Sequence, residues 1–559
     1  MLFSFFISGA SFSKTEIIKY SQDKTSNYLS GIVSIDQNHT KKAYDYLNKV
    51  KSLKNSHQNY NIKFLHTLVL LGKFDEAFSF SKNILDEKHN IFEVDLLQGI
   101  NFFINKDYIS AEKYFVRLNN KAPGNIFVEG LIGSVLTSWA RAANNNEKGS
   151  FDSINKLPKT YRHLKEIQIS LLKCYFSSND AQLALENLVK NENYNFSRYN
   201  FFLTNYLLQK NKSKNAKEVI KKSRKKYSSN LLLKQTEAFL INDQNHKIKN
   251  FFNFKNPNDS LAEFFYIIAN LYSNQEEFQL SNFYLKISLL LNKKFKSNNA
   301  LLAENFYYLE KEKISKDIYK SMKSIGSIYS WHSSRNIASI LVKEKDKKYA
   351  IKSLKKNFNL LLKPNVEHYY DLANFYKNNE YFEESIKYFS LALEKIEKDN
   401  FLVPKIFDRR GTSYEKIGQW DNAEKDLLTS LEILPDQAHV LNYLGYSWID
   451  RGINLDKGLE MLKKANSLRE NDGYITDSVG WAYYIKKNYV KAGPFLQKAV
   501  ELLPMDPVIN DHYGDNLWML NKKIQARHAW SNVLKLDRTE KELKDSIIKK
   551  LIFGISKKL

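Results

Sequence analysis

Four glycines in the last third of the chain recur at one spacing. Gly411 in "RRGTSY", Gly445 in "YLGYSW", Gly480 in "SVGWAY" and Gly514 in "HYGDNLW" stand 34, 35 and 34 residues apart. Twelve or thirteen residues after each comes a second small residue: Ala423, Gly458, Ala492 and Ala526. Ala465 and Ala499 follow in two of the units, and Pro435 and Pro504 close two of them. Self-similarity at a fixed period of about 20–50 residues marks a stack of like supersecondary units, and it takes precedence over any segment-by-segment reading.

Each unit reads as two short antiparallel helices. In "DSVGWAYYIKKNYVKAGPFLQKAVELLP", Gly480 falls on the first helix and Ala492 and Ala499 on the second. Small residues let the two helices approach, and Trp481, Tyr483, Tyr489 and Leu496 supply bulk around the gaps. Pro504 ends the second helix, because the residue before a proline is biased away from helical angles. Pro494 departs from the pattern, since an internal proline removes a backbone bond; it falls early in the second helix, where a kink costs least.

The pattern resembles the tetratricopeptide repeat (TPR) family, whose unit is a helix–turn–helix of about 34 residues. The Leu-Gly…Tyr…Ala…Phe…Ala…Pro phasing is clearest over 404–435, 438–470, 473–504 and 507–538, with one extra residue in the "DRGINLD" turn of the second. Upstream, Gly99, Tyr108, Ala111, Phe115 and Pro123 keep the same phase, as do Phe74, Ala77 and Gly133. Ala373, Tyr381, Ser385 and Ala392 keep it too. Between about 150 and 365 the helical period persists while the signature residues fade. The resemblance implies an all-α fold, an α-solenoid forming a right-handed superhelix, with roughly twelve to fourteen helix pairs in this length. The expected divisions are 1–13, an export signal; 14–143, N-terminal helix pairs; 144–364, a degenerate array; 365–540, a well-formed array; and 541–559, a capping helix. Two polar stretches with turn residues, 144–160 and 252–260, read as joints.

Composition agrees with this class. Hydrophobic residues are 43% of 559, enough for extensive burial, and only 19 Gly and 9 Pro punctuate the chain, which favours helices over a turn-rich β fold. The net charge of +24 raises the question of a polyanionic partner. The densest basic run, 209–226, holds nine basic residues and one acid, yet Ala216, Val219, Ile220 and Ser223 recur through it at helical spacing. Its lysines therefore read as the solvated face of an amphipathic helix, and nucleic acid is not the expected partner.

The first residues, "MLFSFFISGASFSKTE", are an apolar run followed by small residues, the pattern of a cleaved export signal; a buried first helix is the other reading. The last, "KELKDSIIKKLIFGISKKL", form a basic amphipathic helix, read as the cap of the array. A peripheral contact of this helix with anionic membrane is the alternative. Cys174, the one cysteine, lies in "ISLLKCYF" and reads as a buried thiol.

The chain carries no phosphate-cradling glycine loop, no His-Glu-x-x-His pair and no Gly-x-Ser-x-Gly elbow. No two of its eleven histidines are spaced for a helical metal site. Asp75-Glu76, Glu383-Glu384, Asp421 and Asp456 open second helices, where negative charge complements the helix dipole. No catalytic residue, cofactor or metal is expected, and the protein reads as a non-enzyme.

What remains is a surface. The resemblance implies an inner groove lined by first helices that grips a peptide. Carried onto this sequence, the groove phase places Asp408, Asn442, Asp477 and Asp511 at one inward position. Thr412, Tyr446, Trp481 and Asp515 lie one turn on, followed by Glu415, Ile449, Tyr484 and Trp518. Carboxylates mixed with Trp and Tyr suit a basic or amide-rich segment, with the aromatics as anchors. The final repeats look like those of proteobacterial envelope TPR proteins. That implies a scaffold binding protein segments in the periplasm or envelope of a Gram-negative bacterium. The alternative is a cytoplasmic helical-repeat protein binding RNA or another polyanion through its lysines.

Overall fold

The computed structural model describes residues 21–84, 91–119, 129–191, 195–344, 346–397, 400–537 and 539–555. The expected export signal and Pro123 lie outside the described residues. Among the described residues every regular element is an α-helix or a short 3-10 turn of helix, so the fold is all-α. Two compact units divide it, Met1–Asp346 and Lys347–Leu559. The second begins earlier than residue 365, because helix Lys347–Asn359 buries Ala350, Leu354 and Phe358. The Phe358 ring then meets Tyr369 and Tyr388 of the following pair at 5.1 and 5.7 Å.

The C-terminal unit is a solenoid of helix pairs. Val366–Asn378 pairs with Phe382–Leu393, Val403–Lys416 with Trp420–Ile433, and Ala438–Asp450 with Leu455–Leu468. Gly473–Ile485 pairs with Tyr489–Leu502, and Pro507–Met519 with Lys523–Lys535. The glycine gaps are packing positions. A Cβ on Gly480 would stand 2.6 Å from Leu496 Cγ, and one on Gly514 2.5 Å from Trp530 Cδ1, so the facing side chain occupies the space a Cβ needs. Ala492 and Ala499 are fully buried. Pro494 stays inside the unbroken helix Tyr489–Leu502.

Each turn within a pair passes through one left-handed residue: Glu380, Gly418, Gly452, Lys487 and Asn521, at φ between 59° and 78°. A non-glycine residue held there costs about 1–2 kcal/mol, which the packing of the pair repays. The extra residue of "DRGINLD" is absorbed by a second left-handed residue, Asn454 at φ 48°. Asp75, Glu76, Glu383, Glu384, Asp421 and Asp456 all sit in first turns of second helices. Glu76 also accepts from Tyr44 Oη at 3.1 Å and pairs with Lys73 at 3.2 Å.

The N-terminal unit continues helix pairs through the stretch where the signature fades. The expected joints are caps rather than breaks. Asn146 accepts from Gly149 N at 2.9 Å and starts helix Glu147–Asn155, while Pro257 occupies the first turn of Pro257–Asn274 behind the N-cap Asn256. Polar, Gly- and Pro-containing stretches look alike in either role, because caps and linkers favour the same residues.

The unit also folds back on itself. Gln279 Nε2 donates to Ile35 O at 3.2 Å and Asn38 Oδ1 at 2.5 Å, and the Phe283 ring stacks on His66 at 4.3 Å. The hairpin Pro257–Asn274 and Phe278–Leu291 thus packs against helices near the start of the chain. Pro257–Asn274 is buried on most of its surface, and its Glu263 lies under Arg198 in a bidentate pair at 2.8 Å. Arg198 also donates to Asn298 Oδ1 at 2.9 Å and stacks over Tyr266 at 3.8 Å. Burial disfavours the charge on Arg198, but Glu263 and the surrounding tyrosines outweigh it and raise its pKa. The basic helix Ser213–Lys226 buries only Ala216, Ile220 and Ser223, leaving its lysines on the outer face. Cys174 is buried, which pushes its thiol well above its ordinary pKa.

Candidate functional site

First helices of successive repeats line a cleft in the C-terminal unit. Glu415 and Lys416, then Asn442, Tyr443, Tyr446 and Asp450, then Tyr474, Asp477 and Ser478, and finally Asp506, Ile509 and His512 bound a volume of about 440 Å³. The repeat period brings these residues together, because it presents one face of each first helix to the same side.

Polar groups along the cleft are tied between repeats. His439 Nε2 lies 2.9 Å from Asp408 Oδ2, and His512 Nδ1 lies 2.9 Å from Asp477 Oδ2. Tyr443 donates to Glu415 at 3.0 Å, and Arg451, 3.6 Å from the same carboxylate, covers the Trp420 ring at 4.3 Å. Two oxygens are left over. Asn442 Oδ1 and Asp477 Oδ1 are buried and accept no hydrogen bond, and both residues line the cleft. Tyr446 stands beside them. Burial, reinforced by Asp450 and Asp477, pushes its hydroxyl up to about 12, so it stays protonated and able to donate.

The nine residues read as groove-lining divide into three groups. Asn442, Tyr446 and Asp477 line the cleft. Asp408 is 4% exposed and taken by His439, while Trp481 stacks on His512 at 3.9 Å and on Tyr484 at 4.7 Å. Trp481 therefore forms part of the contact between repeats, and Tyr484 stacks behind it and against Tyr489 of the same repeat. Asp511, Asp515 and Trp518 are covered by the chain itself. Helix Lys541–Phe553 places Lys550 Nζ 2.6 Å from Asp511 Oδ1 and 2.7 Å from Asp515 Oδ1, and Gly554 lies against the Trp518 ring. Trp530 Nε1 donates to Asp515 at 3.0 Å. Burial and the neighbouring Asp511 push Asp515 up to about 6, against the pull of Lys550 and Trp530.

The same terminal helix buries Ile547 among Leu517, Ala526, Ala529, Trp530 and Val533. It exposes Ile548, Ile552 and Phe553 by 45%, 63% and 79%. No described helix is long and apolar enough to cross a membrane, and among the described residues no group of His, Cys, Asp and Glu is placed to hold a metal ion.

Sequence reasoning missed Asp450, Tyr474, His512 and Lys550. His512 neighbours Asp511 in sequence and falls within the repeat phase, so a signal for it existed. Lys550 lies beyond the last repeat, where the period offers none.

The helix pair Val366–Asn378 and Phe382–Leu393 is a tetratricopeptide repeat. The tetratricopeptide repeat family model matches residues 366–394. A TPR repeat-containing protein of Pseudomonas aeruginosa is 34% identical over 101 residues, which are 18% of this chain and 17% of that relative. The chain thus spans about a sixth of the length of the curated relative it matches. Among solved structures, a TPR protein of Thermus thermophilus is 16% identical, covering 34% of this chain and 99% of that one at a TM-score of 0.29. A tetratricopeptide repeat protein of Parabacteroides merdae is 18% identical, with coverage of 40% and 88% and a TM-score of 0.34.

Proposed function

We propose that the protein is a non-enzymatic adaptor that grips a segment of a partner polypeptide in the cleft at Asn442, Tyr446 and Asp477, and that it works in the bacterial envelope. One observation carries the cleft. Asn442 Oδ1 and Asp477 Oδ1 are buried acceptors with no donor, and an orphaned buried acceptor costs about 1–3 kcal/mol. A polypeptide laid along the cleft supplies N–H donors at the right chemistry, from its backbone amides or its side chains. The envelope part rests on the apolar first residues of the sequence.

The competing reading is a polyanion held on the outer lysines, favoured by the exposed basic face of Ser213–Lys226. The carboxylates of the cleft oppose that ligand there. Capture from native cells with the full chain and with Asn442→Ala/Tyr446→Ala, with and without nuclease, tests the proposal. A nuclease-resistant protein lost from the double variant supports it. Retention of nucleic acid alone, released at moderate salt, overturns it. Fractionation of the cells tests the compartment separately.

A further inference from the structure

The cleft holds four carboxylates, Glu415, Asp450, Asp477 and Asp506, in a chain whose net charge is +24. Their local partners are unevenly shared. Glu415 has Arg451 and Lys416, each at 3.6 Å, and Asp506 caps its own helix through Val508 N and Ile509 N. Asp477 is 5% exposed and spends one oxygen on His512, leaving the other without a partner. Asp450, exposed at the end of helix Ala438–Asp450, has neither an ion pair nor a side-chain hydrogen bond. Tyr446, one turn before it on the same helix, lines the cleft with both, and both carboxylates act on its hydroxyl.

One repeat further on, the structure shows how such a set is satisfied. Asp511 occupies the register of Asp477, and with Asp515 it receives the Lys550 ammonium at 2.6–2.8 Å, below the Trp530 ring at 6.0 Å. Two carboxylates and an aromatic wall take one lysine. Asp477, Asp450 and Tyr446 offer the same kinds of group without the lysine, although Trp481 and not Asp450 holds the register of Asp515 and the two carboxylates come from successive first helices.

We infer that the cleft seats a lysine or arginine side chain of the partner polypeptide along Tyr446, its cationic head between Asp450 and Asp477. Asn442 Oδ1 takes a donor from the same segment. The inference rests on the polypeptide reading of the cleft and narrows it to a basic segment. Charge-assisted hydrogen bonds to a buried carboxylate are the strong ones, and an aromatic face adds to a cation held over it.

Three immobilised forms of the full chain, unaltered, Asp450→Asn and Asn442→Ala, test it against two pools of probe. The pools are N-acetylated, C-amidated nonapeptides randomised around a fixed central lysine or a fixed central norleucine. Retention of the lysine pool about tenfold above the norleucine pool, with that preference lost in Asp450→Asn, is the expected result. Asp450 has no ion pair to lose, so its substitution leaves the fold intact, and equal melting temperatures check this. Equal retention of both pools, reduced by Asn442→Ala, overturns the cation seat while leaving the polypeptide reading standing. Retention of neither pool overturns both.

Discussion

His512 Nδ1 lies 2.9 Å from Asp477 Oδ2, with both side chains at least nine-tenths buried and each on the first helix of its own repeat. The imidazole is also stacked on Trp481. Burial disfavours its charged form, but Asp477, with Asp511 and Asp515 beyond, outweighs burial and raises its pKa. The repeat-to-repeat contact is therefore also a proton-binding site.

That site makes the C-terminal unit pH-sensitive. A pKa raised on folding contributes stability that is complete below the unfolded value, about 6.5 for histidine, and is lost as pH rises through the folded value. Asp515, raised to about 6, adds a term of the same sign at lower pH, complete below about 4 and lost above 6. The apparent melting temperature of this unit, followed by near-UV circular dichroism, should fall between pH 5 and pH 8. In His512→Gln the slope above pH 6.5 should flatten.

Gly480→Ala should destabilise although alanine is the better helix former. The new Cβ would lie 2.6 Å from Leu496 Cγ and 3.1 Å from its backbone nitrogen, which cannot give way as a flexible side chain does. Overpacking of this kind costs about 1–3 kcal/mol, more than the gain in propensity of about 1 kcal/mol. Urea denaturation of the full chain measures the difference.

Lys550→Met should release the terminal helix. It strands the buried carboxylates of Asp511 and Asp515, and removing one partner of a buried ion set costs about 3–5 kcal/mol. Trp518, which the helix end covers at Gly554, should become more solvated, seen as a red shift of tryptophan fluorescence. Asp511→Asn/Asp515→Asn in the same background should recover much of the loss.

Arg198→Met should destabilise the N-terminal unit by a similar amount, because the Glu263 side chain is fully buried. The double variant Arg198→Met/Glu263→Leu should be close to the unaltered protein, since an apolar pair of similar volume replaces a buried ion pair at little net cost. Chemical denaturation of the three forms separates the cost of stranding a charge from the worth of the pair.

The repeat architecture was legible because packing within a pair is local. Gly480 meets Leu496 16 residues on, and both fall within one period, so the spacing alone announces the contact. The added residue of the "DRGINLD" turn was legible for the same reason. Contacts that depend on how repeats stack were not. Asp408, Asp477 and Asp511 share one register, yet their nitrogen partners come from His439, His512 and Lys550 at separations of 31, 35 and 39 residues. No fixed period announces such partners, so three carboxylates that look equivalent in sequence differ in what they leave free. The return of Gln279 to Asn38 spans 241 residues and leaves no trace in the pattern. The sequence pattern places its division at 365 because no signature glycine precedes helix Lys347–Asn359, which nonetheless buries Ala350, Leu354 and Phe358 as a repeat helix does.

The central claim is that the cleft at Asn442, Tyr446 and Asp477 holds a polypeptide. A photo-crosslinking phenylalanine at Tyr446, with a control at Glu460 on a second helix, tests it most directly in living cells. The account predicts a protein adduct from position 446, abolished by Asn442→Ala and absent from position 460. No adduct at 446, equal adducts from both positions, or an adduct to nucleic acid would contradict it.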